Sequence, residues 1–351
     1  MQTERSQQTT SDCSVVIMAA GRGTRMKSAT PKVLHDLCGR TLLGHTLVAA
    51  ESLNPRHVIA VVRHERDLVA AEVERVAPAA LVADQDDVMG TGRAVQCGLI
   101  AAEQAGVELG DTVVVTSGDV PLLEAETLRQ LVTSHQDSGA AVTVVTTVAD
   151  DPSGYGRVLR EETGEGVIAI VEHKDATDEQ LTVTEINAGI YAFDAKFLAE
   201  TLRNLGSDNA QGEVYLTDTV AAAVASGRGA SAFVLEDTWQ AEGCNDLVQL
   251  ASLRQELTGR IIRRHQRAGV SIVDPLTTSI DVQVQLDADA IVLPCTQLYG
   301  KSQVESGAAI GPSSTLRDVR VGANATVPHS VLHQCSVAEG QNLAPFTVVG
   351  E

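Results

Sequence analysis

Short apolar runs alternate with stretches of helical periodicity over about the first 245 residues of the chain. Runs rich in Val and Ile at 14–18, 57–62, 112–116 and 141–147 are apolar enough to form buried strands. Between them, apolar residues recur with helical spacing at 42–53, 66–76, 92–104 and 125–135. This alternation predicts a doubly wound α/β domain with a parallel sheet. Because ligands bind at the carboxyl ends of strands in such sheets, the loops that follow strands are the expected place for chemistry.

A different period begins beyond residue 269. Aliphatic residues recur at every sixth position, with a slip of one after Leu316 and a second new start at Val331: Ile280, Leu286, Val292, Leu298, Val304, Ile310, Leu316, Val321, Val327, Val331, Val337, Leu343 and Val349. Small residues tend to stand four places after them. A period of six fits neither a helix nor a simple strand. In a parallel β-helix, each six-residue segment forms one side of a coil, and three sides complete the coil. The pattern predicts roughly four coils rather than chance alternation in a Val-rich segment.

These patterns divide the chain into four expected segments. Residues 1–13 are polar and lack the apolar run of a signal peptide, so they read as a disordered leader. Residues 14–247 form the α/β domain, 248–268 a connecting helix and 269–351 a short β-helix.

Charge excludes several classes of partner. The 351 residues include 46 acidic and 26 basic side chains, a formal charge of −20. This balance argues against broad electrostatic binding to nucleic acid or anionic lipid. No apolar stretch reaches roughly 18 residues, so no membrane span is expected. We expect a cytoplasmic protein.

One local segment reverses that charge. Residues 13–35 carry Arg22, Arg25, Lys27 and Lys32 and no acid. A predicted strand there leads into a loop with Gly21 and other small residues, whose backbone amides can approach a phosphate while the cations balance its charge. The loop matches neither a Walker motif nor a dinucleotide fingerprint. It predicts a polyphosphate-binding loop, the alternative being a glycine-rich turn with solvated arginines.

Two further features lie after predicted strands. Asp119, in VTSGD, ends a buried strand and is a candidate ligand of Mg²⁺, which takes one or two protein oxygens in phosphate sites. The alternative is an Asp that caps the next turn. Gln85 and the turn at Gly90 and Thr91 precede a predicted helix and are candidates for reading a base edge.

The segment MAAGRGTRMKSATPKVLH at 18–35 resembles the signature of sugar-nucleotide pyrophosphorylases. Later segments, among them VTSGDVPLL, DPSGYGRVLR, EINAGIYAFD and EGCNDLVQLA, resemble a narrower family. This is the bacterial bifunctional N-acetylglucosamine-1-phosphate uridylyltransferase/glucosamine-1-phosphate acetyltransferase family, in its actinobacterial form. The resemblance covers nearly the whole chain after residue 13 and implies a Rossmann-like nucleotidyltransferase domain followed by a left-handed β-helix.

The resemblance also implies roles at matching positions. Those of the nucleotide site are Met18, Ala19, Ala20, Gly21 and Lys32 around the nucleotide, Arg25 at the triphosphate, Gln85, Gly90 and Thr91 at uracil, and Ser117, Gly118 and Asp119 at the ribose and metal. Those of the amino sugar are Gly154, Glu172 and Asn187, with Tyr215 and Thr217 nearby. Arg25 and Lys32 are the implied catalytic residues, and Asn245 joins Asp119 as the second implied ligand of Mg²⁺.

The implied reaction is uridylyl transfer from UTP to N-acetylglucosamine 1-phosphate, which yields UDP-N-acetylglucosamine, a peptidoglycan precursor, and pyrophosphate. Two alternatives remain open: a nucleotidyltransferase for another nucleotide and sugar phosphate, or a catalytically silent trimeric scaffold.

The chain departs from the family pattern at several positions. Arg93 stands where a His is common, Val88 where some relatives have Gln, and Asp246 where a second Asn is usual. The last residues, LAPFTVVGE, stop near the point where the family reads Arg-Pro-Gly. We therefore expect no acetyltransferase activity, and we expect the β-helix to hold a homotrimer.

Overall fold

The computed structural model describes residues 12–164 and 166–350. Most of the predicted leader therefore lies outside the described residues. The chain divides into two compact units, one of residues up to 35 with 41–246, the other of residues 36–40 with those from 247 onward. We call them the N-terminal and C-terminal units. The finer division at residues 247 and 268 stays a prediction.

The elements of the chain before residue 247 follow the predicted alternation. Their strands are β1 Cys13–Met18, β2 Asp36–Leu37, β3 Arg40–Thr41, β4 Val58–Val62, β5 Leu81–Asp84, β6 Thr112–Ser117, β7 Val142–Val148, β8 Arg157–Arg160, β9 Val167–Val171, β10 Glu185–Asp194 and β11 Ala230–Val234. The α-helices are α1 Leu42–Glu51, α2 Arg66–Val76, α3 Thr91–Gln104, α4 Ala125–Ser138, α5 Asp178–Leu181, α6 Ala195–Leu202 and α7 Asp218–Ala225. Single 3₁₀ turns occupy Thr24–Met26, Lys32–Leu34 and Thr238–Ala241.

One large sheet forms the centre of the N-terminal unit. Its strands run in the order β11-β7-β10-β6-β1-β4-β5. Outside this order, β8 pairs with β10, and β9 pairs with β8. The strands around β1 are parallel, as predicted. The sheet is mixed rather than wholly parallel because β10 runs antiparallel to β6 and β7. The predicted α/β class is confirmed, and β10 is the correction to it.

Apolar clusters cover both faces of this sheet. On one face, Leu47 of α1, Val69 of α2 and Leu131 of α4 pack with residues of β1 and β4. On the other, Val95 of α3 and Leu198 of α6 pack with residues of β6 and β7. Helices on both faces explain why the central strands are continuously apolar instead of alternating.

The C-terminal unit contains one long helix and a series of short strands. Helix α8 spans Leu247–Arg267. The strands are β12 Ser271–Ile272, β13 Ser279–Ile280, β14 Gln285–Leu286, β15 Ile291–Val292, β16 Gln297–Tyr299, β17 Gln303–Val304, β18 Ala309–Ile310, β19 Thr315–Arg317, β20 Arg320–Val321, β21 Thr326–Val327, β22 Val331–His333, β23 Ser336–Val337 and β24 Val348–Val349. They form three parallel sheets in which every third strand pairs, as the coils of a β-helix require, except that the last strand, β24, pairs with β22.

The six-residue period corresponds to the interior of the coils. The aliphatic residues from Ile280 to Leu316 are buried, and so are the small residues four places later, such as Ala290 and Ser302. The prediction for Val331 is wrong: it is 45% exposed, and Leu332 is buried in its place. Coils shorten here, since Thr315 pairs with Gln297, eighteen positions back, but Val331 pairs with Thr315, only sixteen back. Val349, expected inside, is also exposed.

Among the described residues, no helix is both long and apolar enough to cross a membrane.

The buried period predicts which isoleucines stabilise the β-helix. Ile310→Ala removes a fully buried side chain and should lower the free energy of unfolding by about 2–5 kcal/mol. Ile291→Ala, the matched control, removes a side chain that is 37% exposed and should cost about 1 kcal/mol or less. Denaturant titration of both variants measures the difference, and equal losses would contradict the register.

Candidate functional site

A cavity of about 580 Å³ opens at the carboxyl ends of β1, β4, β5 and β6. Parallel pairing aligns these ends, because Met18 of β1 is in register with Val61 of β4 and Ser117 of β6. The cavity therefore lies where an α/β sheet is expected to bind its ligand.

Ten residues singled out in the sequence line this cavity: Met18, Ala19, Ala20, Gly21, Lys32, Gln85, Gly90, Thr91, Ser117 and Asp119. The wall also contains Arg22, one of the cations of the basic segment, and residues that sequence reasoning missed, notably Arg63, His64 and Glu213. The other predicted site residues, among them Arg25, Gly118 and Asn245, do not line the cavity. Several of them nevertheless form hydrogen bonds with residues that do line it.

The loop after β1 is fixed where it leaves the strand. Ala19 donates its N–H to the carbonyl of Val61, and Met18 accepts the N–H of Gly118. Gly23 has a φ of 60°, and a Cβ there would lie 2.5 Å from Cβ of Lys32. The absence of a side chain at position 23 thus lets the backbone pack against Lys32. Met26 is buried at the end of the same loop, which explains an apolar residue in a basic segment.

The predicted catalytic cations meet the predicted metal ligands. Lys32 Nζ forms an ion pair with Asp119 Oδ2, and both side chains are largely buried. Arg25 Nη2 donates to Asn245 Oδ1 at 2.8 Å, and Lys32 Nζ lies 3.5 Å from the same oxygen. Ser117 Oγ donates to Asp119 Oδ1 at 2.6 Å. We call Arg25, Lys32, Asp119 and Asn245 the charge cluster.

A backbone hydrogen bond brings Asn245 to this cluster. Cys244 donates its N–H to the carbonyl of Asp119 at 2.9 Å, and its side chain is fully buried. A Cβ on Gly243 would lie 4.0 Å from Asp119 Oδ2. Residues 243–245 are therefore held beside the end of β6, although more than 120 positions separate them in the sequence.

The predicted base-reading residues lie around the start of α3. Gly90 has a φ of 120°, and a Cβ there would meet the carbonyl oxygen of Val214 at 2.2 Å, so only glycine fits. Thr91 Oγ1 accepts the N–H of Leu216 at 3.0 Å. Gln85 Nε2 donates to the carbonyls of Val88, at 3.0 Å, and Gly90, at 3.3 Å. These contacts fix the turn that lines the cavity.

Arg93, the departure from the family pattern beside this turn, forms an ion pair with Asp86. It also donates to Gln96 Oε1 at 2.6 Å. Its charge is therefore compensated within the protein.

The predicted amino-sugar residues form a second group. Thr217 Oγ1 donates to Glu172 Oε1 at 3.1 Å, and Asn187 Nδ2 donates to the hydroxyl of Tyr191 at 2.7 Å. The structure brings Gly156 here rather than Gly154. A Cβ on Gly156 would lie 3.6 Å from Glu172 Oε2 and 3.7 Å from Asn187 Cβ, whereas a Cβ on Gly154 would have no described neighbour within 4 Å. We call Gly156, Glu172 and Asn187 the acceptor group.

Tyr215 is buried beside this region but has partners of its own. Its hydroxyl donates to Asp175 Oδ2 at 3.3 Å and accepts from Gln211 Nε2 at 2.8 Å. These bonds connect Tyr215 to residues 175 and 211 rather than directly to Glu172.

Burial, and to a smaller extent acidic neighbours, shape the electrostatics of Glu172. Burial raises the pKa of Glu172; the hydrogen bond from Thr217 opposes this effect, and Asp175, Asp218 and Glu213 reinforce it. A carboxyl with a raised pKa binds a proton more readily than a solvated one, so this part of the site resists additional negative charge.

Sequence reasoning missed one polar pair. Tyr155 donates its hydroxyl to Glu242 Oε2 at 3.2 Å. Burial and the Glu242 carboxylate raise the pKa of Tyr155 to about 12, with a smaller contribution from Asp119 that Arg25 opposes. The only signal in the sequence was a polar aromatic residue between the two glycines of the SGYG motif.

Metal-ligating side chains are sparse. Within residues 12–164 and 166–350, no group of three or more His, Cys, Asp or Glu residues is arranged to hold a metal ion. Asp119 and Asn245 offer one carboxylate and one amide oxygen, so further ligands would have to come from substrate or water.

Comparisons with known proteins show what the chain is similar to. A family profile described as MobA-like NTP transferase domain matches residues 15–186. The chain is 51% identical over 348 residues to the bifunctional protein GlmU of Pseudarthrobacter chlorophenolicus, covering 97% of this chain and 70% of that protein. It is 50% identical to GlmU of Paenarthrobacter aurescens, and this match covers 99% of this chain and 70% of that protein. It is 51% identical to GlmU of Kineococcus radiotolerans, and this match covers 95% of this chain and 67% of that protein.

The raised pKa of Glu172 predicts a stability gain on neutralisation. The unfolded chain ionises this carboxyl at its usual value of 4.5, whereas the folded protein resists ionisation, so stability falls as pH rises through the folded pKa. Glu172→Gln keeps an acceptor for Thr217 and should melt higher than the wild type near pH 8, with the difference shrinking toward pH 4.5. Each kcal/mol gained in the free energy of unfolding raises the melting temperature by about 2–4 °C.

Glu185→Gln is the matched control with the opposite sign. Burial opposes ionisation of Glu185, but the hydrogen bonds from Arg160 and Thr146 and the charge of Arg160 together hold the pKa of Glu185 below its usual value. This variant should melt lower at neutral pH and approach the wild type as pH falls. A Glu172→Gln variant that melts lower at pH 8 would contradict the electrostatic analysis.

Proposed function

Because this chain belongs to the GlmU family and is therefore a sugar-phosphate nucleotidyltransferase, we propose that it makes UDP-N-acetylglucosamine. The substrates are UTP and N-acetylglucosamine 1-phosphate, and pyrophosphate is the second product. The observation that carries this proposal is the charge cluster, in which two cations and two metal-ligating side chains from distant parts of the chain converge at the end of β6.

The reaction is a direct displacement at phosphorus. A phosphate oxygen of the sugar phosphate attacks the α-phosphorus of UTP, the bond from that phosphorus to the bridging oxygen breaks, and pyrophosphate leaves. No covalent bond to the enzyme is needed. The task of the protein is to bring two polyanions together and to stabilise charge at the reacting phosphorus. Lys32 and Arg25 supply positive charge for this, and the loop at residues 18–21 supplies small residues that let backbone approach the phosphates.

The donor set fits a divalent metal, which enzymes of this family use, and we propose Mg²⁺. Asp119 and Asn245 provide hard oxygen atoms, the ligands that Mg²⁺ prefers. The same oxygens already attract Lys32 and Arg25, which indicates a local preference for positive charge. When bound, a magnesium ion would neutralise phosphate charge and orient the reacting groups.

Substrate choice is assigned to two separate parts of the site. Gln85, Gly90 and Thr91 are proposed to contact uracil at the start of α3. The acceptor group is proposed to hold the amino sugar, with Glu172 as a hydrogen-bond acceptor and Asn187 orienting the ring. Gly156 supports this role better than Gly154 because it lies directly against Glu172 and Asn187.

The proposal concerns the N-terminal unit. A homotrimer held by the β-helix and a cytoplasmic location belong to the same proposal and rest on the resemblance. The silent-scaffold alternative is disfavoured because the four members of the charge cluster are present together and in mutual contact.

A substrate panel tests the proposal. Pyrophosphate release should be fastest with UTP and N-acetylglucosamine 1-phosphate and should require Mg²⁺. Other pairs, such as dTTP or GTP with a hexose 1-phosphate, should be slower by about tenfold or more, since lost polar contacts in a specific site cost at least that much. Faster release with another pair would replace the assigned substrates, and no release with any pair would overturn the enzymatic role.

The charge cluster predicts the effect of two substitutions. Arg25→Ala and Lys32→Ala should each lower kcat by about 100-fold or more, because each removes positive charge preorganised near the reacting phosphate. Lys196→Ala removes an exposed lysine on α6 and serves as the control, with kcat within about threefold of the wild type. Circular dichroism checks the fold. Near-normal turnover in both cluster variants would contradict the assignment.

A further inference from the structure

We propose that Tyr155 and Glu242 form a positioning pair that sets the distance between the acceptor group and the charge cluster. The pair touches no reacting atom in this proposal. It acts by joining the two chain segments that carry the two halves of the site. The inference rests on the proposed function and assigns a role to residues outside the substrate-binding set.

Tyr155 is anchored from inside the protein. Its N–H donates to the carbonyl of Pro152 at 3.2 Å, and its own carbonyl accepts from Arg157 Nη1 at 2.5 Å. Arg157 belongs to β8 and is only 2% exposed, and its other terminal nitrogen lies 3.5 Å from His173 Nδ1. A buried cation that bonds a backbone carbonyl is costly to displace, so the position of Tyr155 is well determined.

The residue after Tyr155 belongs to the acceptor group. The carbonyl of Gly156 accepts the N–H of Asn187 at 2.9 Å, and its α-carbon faces Glu172. Any displacement of Tyr155 is therefore transmitted through one peptide bond to the residues proposed to hold the sugar.

Glu242 is joined in a similar way to the charge cluster. Its N–H donates to the carbonyl of Trp239 at 3.3 Å. Two residues later, Cys244 donates to the carbonyl of Asp119, and Asn245 follows with its bond from Arg25. The Tyr155–Glu242 hydrogen bond thus connects the segment of Asn245 to the segment of Gly156.

The chemistry of the pair suits a fixed connection. A phenol that stays protonated at neutral pH is a permanent donor, and a carboxylate is a strong acceptor. Burial and the adjacent Glu242 carboxylate raise the pKa of Tyr155 to about 12, so the hydroxyl keeps its proton throughout the physiological range.

The expected consequence is a loss of alignment more than a loss of binding. In a displacement that needs an attacking oxygen in line with a leaving group, a shift of about 1 Å costs up to about 100-fold in rate. Loosening the pair leaves the nucleotide loop and the acceptor side chains present. It should therefore lower kcat while KM for either substrate changes little.

Four variants test the pair in the reaction that the substrate panel identifies. Tyr155→Phe removes only the hydroxyl and should lower kcat about tenfold or more, with both KM values within about threefold. Glu242→Ala should match it. Glu242→Gln keeps an oxygen acceptor and should recover kcat to within about threefold of the wild type. The double variant Tyr155→Phe/Glu242→Ala should be no slower than either single variant, because the two changes break one interaction.

Tyr299→Phe, a tyrosine of the C-terminal unit, is the matched control for loss of a hydroxyl and should leave kcat and KM unchanged. Thermal melting of every variant separates positioning from destabilisation. The proposal is overturned by a kcat for Tyr155→Phe within twofold of the wild type, by additive losses in the double variant, or by a Glu242→Gln variant as slow as Glu242→Ala. A wild type that is active on another substrate pair overturns only the proposed substrates, since the variants are then compared on that pair.

Discussion

The ion pair between Lys32 and Asp119 is the interaction on which the site depends. It joins the basic loop after β1 to the end of β6. Strands β1 and β6 are parallel neighbours, and their ends are in register. Each partner alone would be a largely buried charge, and such charges are costly unless paired. The pair therefore allows an acid-free, strongly basic loop to pack closely on the sheet. It also keeps the ammonium group at the place where the substrate phosphates are proposed to react.

Much of this organisation could be predicted from the sequence because it is locally encoded. Strand and helix periods, the six-residue repeat and the reversal of charge at residues 13–35 are all visible in short windows. The direction of β10 was not predictable, since it depends on which strands it meets. Val331 and Leu332 are both apolar, so only the shortened coil decides which one is buried.

The candidate site, too, could be predicted where its residues belong to local motifs and not where they meet only in the folded chain. Lys32, Asp119 and Gly90 stand out because each belongs to a motif next to a strand end. Gly154 and Gly156 lie in one motif, and sequence spacing alone did not distinguish them, whereas contact with Glu172 and Asn187 does. The Tyr155–Glu242 hydrogen bond joins residues 87 positions apart, and no local sequence pattern predicts such a pair.

Glu172 sets stability against function at one position. A half-buried carboxyl with acidic neighbours lowers the stability of the folded protein at neutral pH. The proposed function uses this same carboxyl as a hydrogen-bond acceptor for the sugar. Engineering of this protein for stability alone would therefore favour a neutral side chain at position 172, at the expense of the contact that the proposed reaction uses.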